Sequence, residues 1–499
     1  MYAAFVKDMN EIDKRAVDEY KIPGILLMEN AAIAIYRRIR KHGFKSVVIV
    51  CGSGNNGGDG FALARLLKVN GYDVNVFCFN DTSKISGDAK INFDIIISMG
   101  FEIKNNLNEL EHKIRECDVV VDALFGTGFK GEVKDIYRDV IDCINRNAKY
   151  IISVDIPSGI MGDSGEKGGI CIYAKETITF GCLKMGHILG DGRIASGRVF
   201  VDPISIPEEC IKKQNILYTT NYGDFPLSII DKREIDTNKG DYGKVYIIGG
   251  SFLMSGAVIL AARGALHAGA GLVTCVVPEE ILDRVGSSVA ETTYMTFDRR
   301  DGHSFISCSN LDAIIERADV IAAGVGLGAS QQMTDCISYI LRKSEKPVVV
   351  DADGINMLSG IKDVLKIKKC PLVLTPHPGE MSRLTGLSID YINKNRVRVA
   401  REFAKNYNCI VLLKGASTVV SDGTRVYINT TGNPGMASGG SGDALTGMIA
   451  ALIGQGYSSY DSAVLGAYIH GRAGDDAYEQ YGYGLTASDI IKFIGKYIK

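Results

Sequence analysis

The sequence predicts two consecutive α/β domains built on parallel sheets, and three observations carry this. Short runs of Val, Ile and Leu, such as SVVIVCG (46–52) and KPVVVDADG (346–354), recur along the chain and alternate with helical stretches. Continuous apolar runs of that length are strands buried on both faces, and helices between them make βαβ units. A chain of 499 residues is longer than one ordinary core accommodates. The alternation lapses near 210–237, in the polar, turn-rich stretch QNILYTTNYGDFPLSIIDKREIDTN. The expected organisation is a first domain over 1–213, a linker over 214–236 and a second domain over 237–499.

In order, strands are expected at 46–52, 73–79, 117–126, 150–159 and 176–181, then at 244–250, 271–277, 318–326, 346–354, 371–377 and 409–415. Most of these runs end in Gly, Asp, Pro or His. In a parallel sheet that is where ligands sit, beyond the carboxyl ends of the strands. Composition narrows the class. Hydrophobic residues make up 46% and charged residues 23%, an ordinary globular mix. A formal net charge of -2 gives no electrostatic case for nucleic-acid or membrane partners. No apolar run is long enough to span a bilayer, and the charged N-terminus reads as neither signal nor transit peptide. The 12 cysteines are scattered without a CxxC pair, as expected of free thiols in a reducing cytoplasm.

In the first half, the strand SVVIVC runs into Gly52-Ser53-Gly54-Asn55-Asn56-Gly57-Gly58-Asp59-Gly60, followed by a helix. GxGxxG between strand and helix suits a phosphate at a helix N-terminus, or merely a tight turn. A dinucleotide fingerprint would want an acidic residue about 20 positions on, and Asp73 comes early. Asp122 closes CDVVVDA ahead of Phe125-Gly126-Thr127-Gly128, and Asp155 closes YIISVD ahead of Pro157-Ser158-Gly159. A carboxylate ending a buried strand is costly unless paired, bound to a cation or catalytic. Each Asp alone is also explained as a helix cap. Asn56, Asp122 and Ser158 offer oxygen ligands suited to a hard cation such as K⁺, with no soft ligand among them.

The second half carries the stronger signal. Gly432-Asn433-Pro434-Gly435-Met436-Ala437-Ser438-Gly439-Gly440-Ser441-Gly442-Asp443 leads into the helical ALTGMIAALIGQG. Bare amides at a helix N-terminus suit the charge developing on a transferred phosphoryl group. Asp443 in the first turn can accept a proton from a substrate hydroxyl. No GxxxxGK[ST] is present, which excludes a P-loop kinase as the template. Lys414-Gly415-Ala416-Ser417-Thr418 follows the strand CIVLL, and Thr375-Pro376-His377-Pro378-Gly379-Glu380 ends another, with prolines fixing the loop that holds His377 and Glu380. Asp351, Asp353, Gly326 and Gly328 complete the rim, or serve as turn and cap residues.

With these residues in order, the chain resembles the bifunctional NAD(P)H-hydrate repair enzymes over almost its whole length. The matching stretches include GILLMEN, GSGNNGGDGFALARLL, DALFGTG and VDIPSG, then NKGDYGKVYIIGGS, GVGLG, LTPHPGEMSRL, LLKGAST, GNPGMASGGSGDALTG and YIHGRAGDDA. The resemblance implies a Rossmann-like three-layer epimerase domain followed by a ribokinase-like, ADP-dependent dehydratase domain. The substrate would be NADH or NADPH damaged by hydration of its ring. The first domain would interconvert the R and S hydrates, with K⁺ on Asn56, Asp122 and Ser158. The second, with Mg²⁺ and with ADP as co-substrate, would return the S form to NAD(P)H, releasing AMP and phosphate. By the same resemblance Asn55, Asn56, Gly57, Gly58, Asp59, Gly126, Thr127, Gly128, Phe129, Lys130, Gly131, Glu132 and Asp155 hold the hydrate in the first domain, Asp155 as acid/base. Gly326, His377, Pro378, Gly379, Glu380 and the catalytic Asp443 face it in the second. Lys414, Gly415, Ala416, Ser417 and Thr418 would bind ADP together with Asn433, Pro434, Gly435, Met436, Ala437, Ser438, Gly439, Gly440, Ser441 and Gly442.

Departures from the family pattern are Ser438 for the usual Thr, Ala32 for a usual Gly, and DADGIN for DADALN. None removes a polar group given a role. A cytoplasmic homo-oligomer without nucleic-acid or membrane partners is expected. The alternative is a thiazole or sugar-like kinase of the ribokinase superfamily with an N-terminal binding or scaffold module. It leaves TPHPGE and the polar strand ends of the first half without a purpose.

Overall fold

The computed structural model describes residues 2–214, 216, 218–221, 226–300 and 303–498. The chain divides into two compact units, Met1–Tyr218 and Thr219–Lys499. Of the stretch expected to link them, residues 215, 217 and 222–225 lie outside the described residues. Leu227, Ile229 and Ile230 of the same stretch pack against the core of the second unit. The apolar PLSII segment thus has a burial site that its polar neighbours conceal.

The first unit is a seven-stranded sheet in the order Ile103–Lys104, Asp73–Cys78, Ser46–Cys51, Val119–Ala123, Ile151–Val154, Glu176–Phe180, Arg198–Asp202. Every neighbouring pair is parallel. Alternation of side chains about each strand explains the layering. Val47, Ile49 and Cys51 point into one core, with Ile12, Ile35, Leu63 and Ile96 from helices on that face. Val48 and Val50 point into the other, with Leu110, Ile114, Val140 and Ile144. The strand order reverses between Ser46–Cys51 and Val119–Ala123, so the crevice lies beyond the carboxyl ends of these two strands. The outermost strands, Ile103–Lys104 and Arg198–Asp202, have no strong signal in the sequence because they are short or half-exposed.

The second unit is a ten-stranded sheet ordered Tyr218–Thr220, Val426–Asn429, Thr418–Ser421, Ile410–Leu413, Leu372–Leu374, Val348–Val350, Val320–Ala323, Lys244–Ile248, Leu272–Val277, Thr293–Thr296. From Ile410–Leu413 to Thr293–Thr296 all pairs are parallel. Thr418–Ser421 and Val426–Asn429 add antiparallel pairs that an all-parallel reading does not anticipate. Their connection is a tight turn in which Asp422 Oδ1 accepts from the amides of Thr424 and Arg425, at 2.9 and 2.7 Å. Such a short link permits only an antiparallel pair. The helices Ser255–His267 and Ser441–Gly454 carry one core of this unit, with Ala261, Ala265, Ala444 and Met448 fully buried. The order reverses between Lys244–Ile248 and Val320–Ala323.

Candidate active sites

In the first unit a cavity of about 710 Å³ opens at the reversal point. Asn55, Asn56, Asp59, Gly126, Thr127, Gly128, Phe129 and Asp155 line it. Lys130, Gly131 and Glu132 are exposed beyond that lining. Gly57 lies beneath it, where a Cβ would stand 1.9 Å from the carbonyl oxygen of Gly52. That glycine is needed for helix and loop to approach, whatever else its amide does.

Asp155 ends the strand Ile151–Val154 with φ +62, a left-handed conformation that costs a non-glycine residue about 1 kcal/mol or more. Its Oδ1 accepts from Lys184 Nζ at 2.6 Å and from Thr179 Oγ1 at 2.9 Å. Lys184 is 2% exposed and also donates to Thr179 Oγ1 and the Phe180 carbonyl, both at 2.8 Å. Burial alone would raise the Asp155 carboxyl, but the Lys184 ammonium outweighs it and holds the group below the ordinary carboxylate range. His187 Nδ1 accepts from the Lys184 amide at 3.0 Å, which leaves Nε2 as the protonated nitrogen donating to the Asp155 carbonyl at 2.7 Å. Burial, then the Lys184 charge, pushes this imidazole down to about 4, so it is neutral. Asp13, Asp59 and Asp88 also line the cavity. Burial raises Asp59 well above its ordinary value, and raises Asp13 to about 6.

Asp122 is fully buried, and its carboxylate accepts from Ser153 Oγ at 2.8 Å, the Ser158 amide at 2.9 Å and Ser158 Oγ at 2.5 Å. Ser158 Oγ also accepts from the Phe125 amide at 2.9 Å. Asn56 lies beside Gly126, and its buried Nδ2 has no hydrogen-bond partner. An amide turned about its terminal bond would present an oxygen there instead. The donor set around Phe125 and Gly126 is thus a carboxylate, a hydroxyl and an amide, which fits a hard monovalent cation.

In the second unit Asp443 lies in the first turn of the helix Ser441–Gly454. Burial, reinforced by Asp351 and opposed by Lys414, raises its carboxyl to about 6. Lys414 Nζ sits 2.7 Å from Asp351 Oδ1, and Thr446 Oγ1 donates to Asp351 Oδ2 at 2.7 Å. Gly442 keeps this arrangement open, since a Cβ there would reach 3.3 Å from Lys414 Nζ. The loop before the helix is tied from Ser459–Tyr481. Asn433 Nδ2 donates to the Gly474 carbonyl and Asp475 Oδ1, at 2.9 and 3.0 Å, while its Oδ1 accepts from the Gly435 amide at 3.0 Å. Ser441 Oγ meets His470 Nε2 at 3.3 Å, and Ser438 Oγ is buried without a partner. YIHGRAGDDA therefore serves to hold the glycine-rich loop.

His377 caps the helix Pro378–Thr385: Nδ1 accepts from the amides of Gly379 at 2.9 Å and Glu380 at 3.3 Å. Glu380 Oε2 returns a bond to the His377 amide at 2.8 Å, and burial raises that carboxyl to about 7. The loop 414–418 closes on itself through Thr418 Oγ1 and Gly415. Gly326 takes φ +59 against Met254 and Ala257, and the Gly328 amide donates to Asp353 Oδ2 at 2.9 Å.

Residues 25–186 match the family model described as YjeF-related protein N-terminus, and residues 245–496 the one described as NAD(P)H-hydrate dehydratase. A bifunctional NAD(P)H-hydrate repair enzyme of Moorella thermoacetica is 40% identical over 99% of this chain and 96% of its own length. The chain belongs to this family. Another member, from Thermofilum pendens, is 36% identical over 100% of this chain and 96% of its own. Among solved structures, an ADP/ATP-dependent NAD(P)H-hydrate dehydratase from Bacillus subtilis is 26% identical with a TM-score of 0.47, covering 55% of this chain and 96% of that one.

Sequence reasoning leaves several residues of these sites unnamed. Lys184 stands in GCLKMGHI, where a lysine inside an apolar run was the available signal. Arg396 has none. Its half-buried guanidinium donates to the carbonyls of Leu413 at 2.9 Å, Lys414 at 2.7 Å and Ser417 at 3.3 Å, which shapes the 414–418 loop. Asp13, Thr179, His187 and Thr446 are likewise placed by the tertiary fold alone.

Proposed function

We propose that the chain repairs hydrated NADH and NADPH, the first unit exchanging the R and S hydrates and the second returning the S form to NAD(P)H. End-to-end similarity to bifunctional repair enzymes supports both halves. The observation that carries the dehydratase half is Asp443, a carboxyl raised to about 6 beside the Lys414–Asp351 pair at a helix N-terminus. A base tuned near the working pH takes the proton as the ring hydroxyl attacks the terminal phosphoryl group of ADP. AMP leaves with the electrons of the broken P–O bond. Phosphate then departs from the ring carbon as a proton leaves the neighbouring carbon, and the double bond of NAD(P)H re-forms. Hydroxide is a poor leaving group, which is what the phosphorylation remedies.

The glycine-rich turn 439–442 at the helix N-terminus and the unpartnered Ser438 hydroxyl would receive phosphate, with 414–418 binding the nucleotide. Mg²⁺ would arrive on the nucleotide, whose phosphates supply oxygens and spread the charge. K⁺ on Asn56, Asp122 and Ser158 would fix the loop at Phe125–Gly126 and contribute positive potential to the first site. Asp155, kept ionised by Lys184, is the acid/base of epimer exchange. No described helix is long and apolar enough to cross a membrane. A cytoplasmic location and assembly as a homo-oligomer belong to the same proposal.

The test supplies a mixture of NADPH hydrate epimers with ADP and follows recovery of reduced-nicotinamide absorbance. Wild type recovers both epimers. Asp443→Asn lowers the dehydration rate by about 10²–10⁴-fold. Recovery at the wild-type rate in that variant would remove the base assignment.

A further inference from the structure

The electronics of the substrate pose a problem that one carboxylate does not solve. Hydrating an enamine puts the hydroxyl on the carbon bonded to the ring nitrogen, because the nitrogen lone pair stabilises positive charge there. Inverting that carbon by C–O cleavage requires a proton donor to the departing oxygen on one face and a proton acceptor for incoming water on the other. Inverting glycosidases meet the same demand with a carboxylic acid and a carboxylate flanking the reacting carbon. Asp155 supplies one such group, and the cavity holds a second.

Asp59 projects from the first turns of the helix Asn55–Val69 and lines the same cavity as Asp155. It is 9% exposed, and its carboxyl has no hydrogen-bond partner among the described residues. An unpaired buried carboxyl is expensive and is retained where it acts. Its environment differs from that of Asp155 in one decisive way: Asp155 bonds directly to the Lys184 ammonium and Asp59 does not. Burial, and after it the charge of Asp155, therefore raises the Asp59 carboxyl well above its ordinary value, while the contact with Lys184 holds Asp155 below its own. Two carboxyls whose environments push them apart form an acid and base pair.

We propose that Asp59 is the second acid–base residue of epimer exchange, serving the face of the ring opposite Asp155. This rests on the epimerase reading of the first unit given above. The Asp59 carboxyl gives its proton to the hydroxyl oxygen, and the C–O bond breaks, so that water leaves. The ring nitrogen lone pair becomes the second bond of C=N⁺. A second water adds to the other face and yields its proton to the Asp155 carboxylate, and the C=N electrons return to nitrogen. One water has left, one has entered, and one proton has passed from Asp59 to Asp155. The reverse epimerisation runs with the roles exchanged, and proton exchange with solvent also resets the pair.

The experiment uses the full chain without nucleotide, one purified epimer of NADPH hydrate and oxygen-18 water, with the other epimer measured by chromatography. Wild type should invert the carbon above the uncatalysed rate and introduce one solvent oxygen per inversion. Its rate should fall at high pH as Asp59 loses its proton in the field of Asp13, Lys14, Asp88, Asp155 and Lys184, with the Cys51 thiol behind. Asp59→Asn should lower kcat by about 10²–10⁴-fold and leave KM within about threefold, without that alkaline limb. Asp59→Asn with a wild-type kcat, a raised KM at unchanged kcat, or loss on Asp13→Asn instead would overturn the assignment. Unlabelled inversion by wild type would overturn it too, with no variant needed. Absence of any inversion by wild type would instead bring down the epimerase reading on which it rests.

Discussion

Replacing Lys184 by methionine tests how the first site holds its charge. The substitution keeps the apolar stem and removes an ammonium that is 2% exposed and donates to Asp155, Thr179 and the Phe180 carbonyl. Asp155 is then a buried carboxylate without its counterion. Breaking a buried pair from one side costs about 3–5 kcal/mol. A local loss of that size lowers hydrogen-exchange protection by about two to four orders of magnitude in the strands Ile151–Val154 and Glu176–Phe180, at about tenfold per 1.4 kcal/mol. The pH dependence gives a second, independent sign. In wild type the Asp155 carboxyl lies below its ordinary 3.8, so its stabilisation is present above that value and lost as pH falls through the folded one. In Lys184→Met, burial loses its main opponent and the folded value rises, so the penalty is present at high pH and relieved as pH falls through the new value. The Lys184 charge also holds down Asp13, Asp59 and His187, so its loss raises all three, and each change narrows the deficit in the same direction as pH falls. The deficit of the variant should therefore be smaller at mildly acidic than at alkaline pH. Exchange mass spectrometry of the full chain at both pH values measures it. Equal protection in the two proteins, or a deficit that widens with acid, would refute the reasoning.

Two other outcomes follow from the second unit. Dehydration with saturating ADP should rise with pH through about 6, where Asp443 ionises, and single-turnover rates across that range would show a flat profile if Asp443 is not the base. Arg396→Met leaves the carbonyls of Leu413, Lys414 and Ser417 without their donor, so the KM for ADP should rise by about tenfold or more through loosening of the 414–418 loop. Steady-state kinetics with varied ADP would count against that role if only kcat changed.

The two-unit α/β plan was legible because its signal is local. A buried parallel strand is a run of Val and Ile, and both units announce themselves by such runs ending in Asp, Gly or Pro. Asp155 and Asp443 stood out for the same reason, as carboxyls at positions where burial makes a carboxyl costly. What the sequence hides is pairing. Lys184 reaches Asp155 from 29 residues away, and Thr446 reaches Asp351 from 95. No spacing rule connects residues that only the fold brings together. Residue type also underdetermines role. Gly57 is also required by the approach of Gly52, and His377 also caps a helix through Nδ1.

Both sites solve one electrostatic problem in the same way. Each places a lysine, fully buried in the first site and half-buried in the second, against a carboxylate at the end of a parallel strand: Lys184 on Asp155, Lys414 on Asp351. Each strand end is also turned by a non-glycine residue in the left-handed region, Asp155 itself at φ +62 and Ala352, next to Asp351, at φ +50. A second carboxyl then shares the space without a direct bond to the lysine, Asp59 in one unit and Asp443 in the other, and burial raises both. The direct bond decides the difference. At Asp155 the ammonium in contact, helped by Thr179, outweighs desolvation, whereas at longer range a lysine only moderates the desolvation of Asp59 and of Asp443. In the first site burial raises Asp59 and suits it to give a proton. In the second, a value of about 6 lets Asp443 ionise near neutrality and take one.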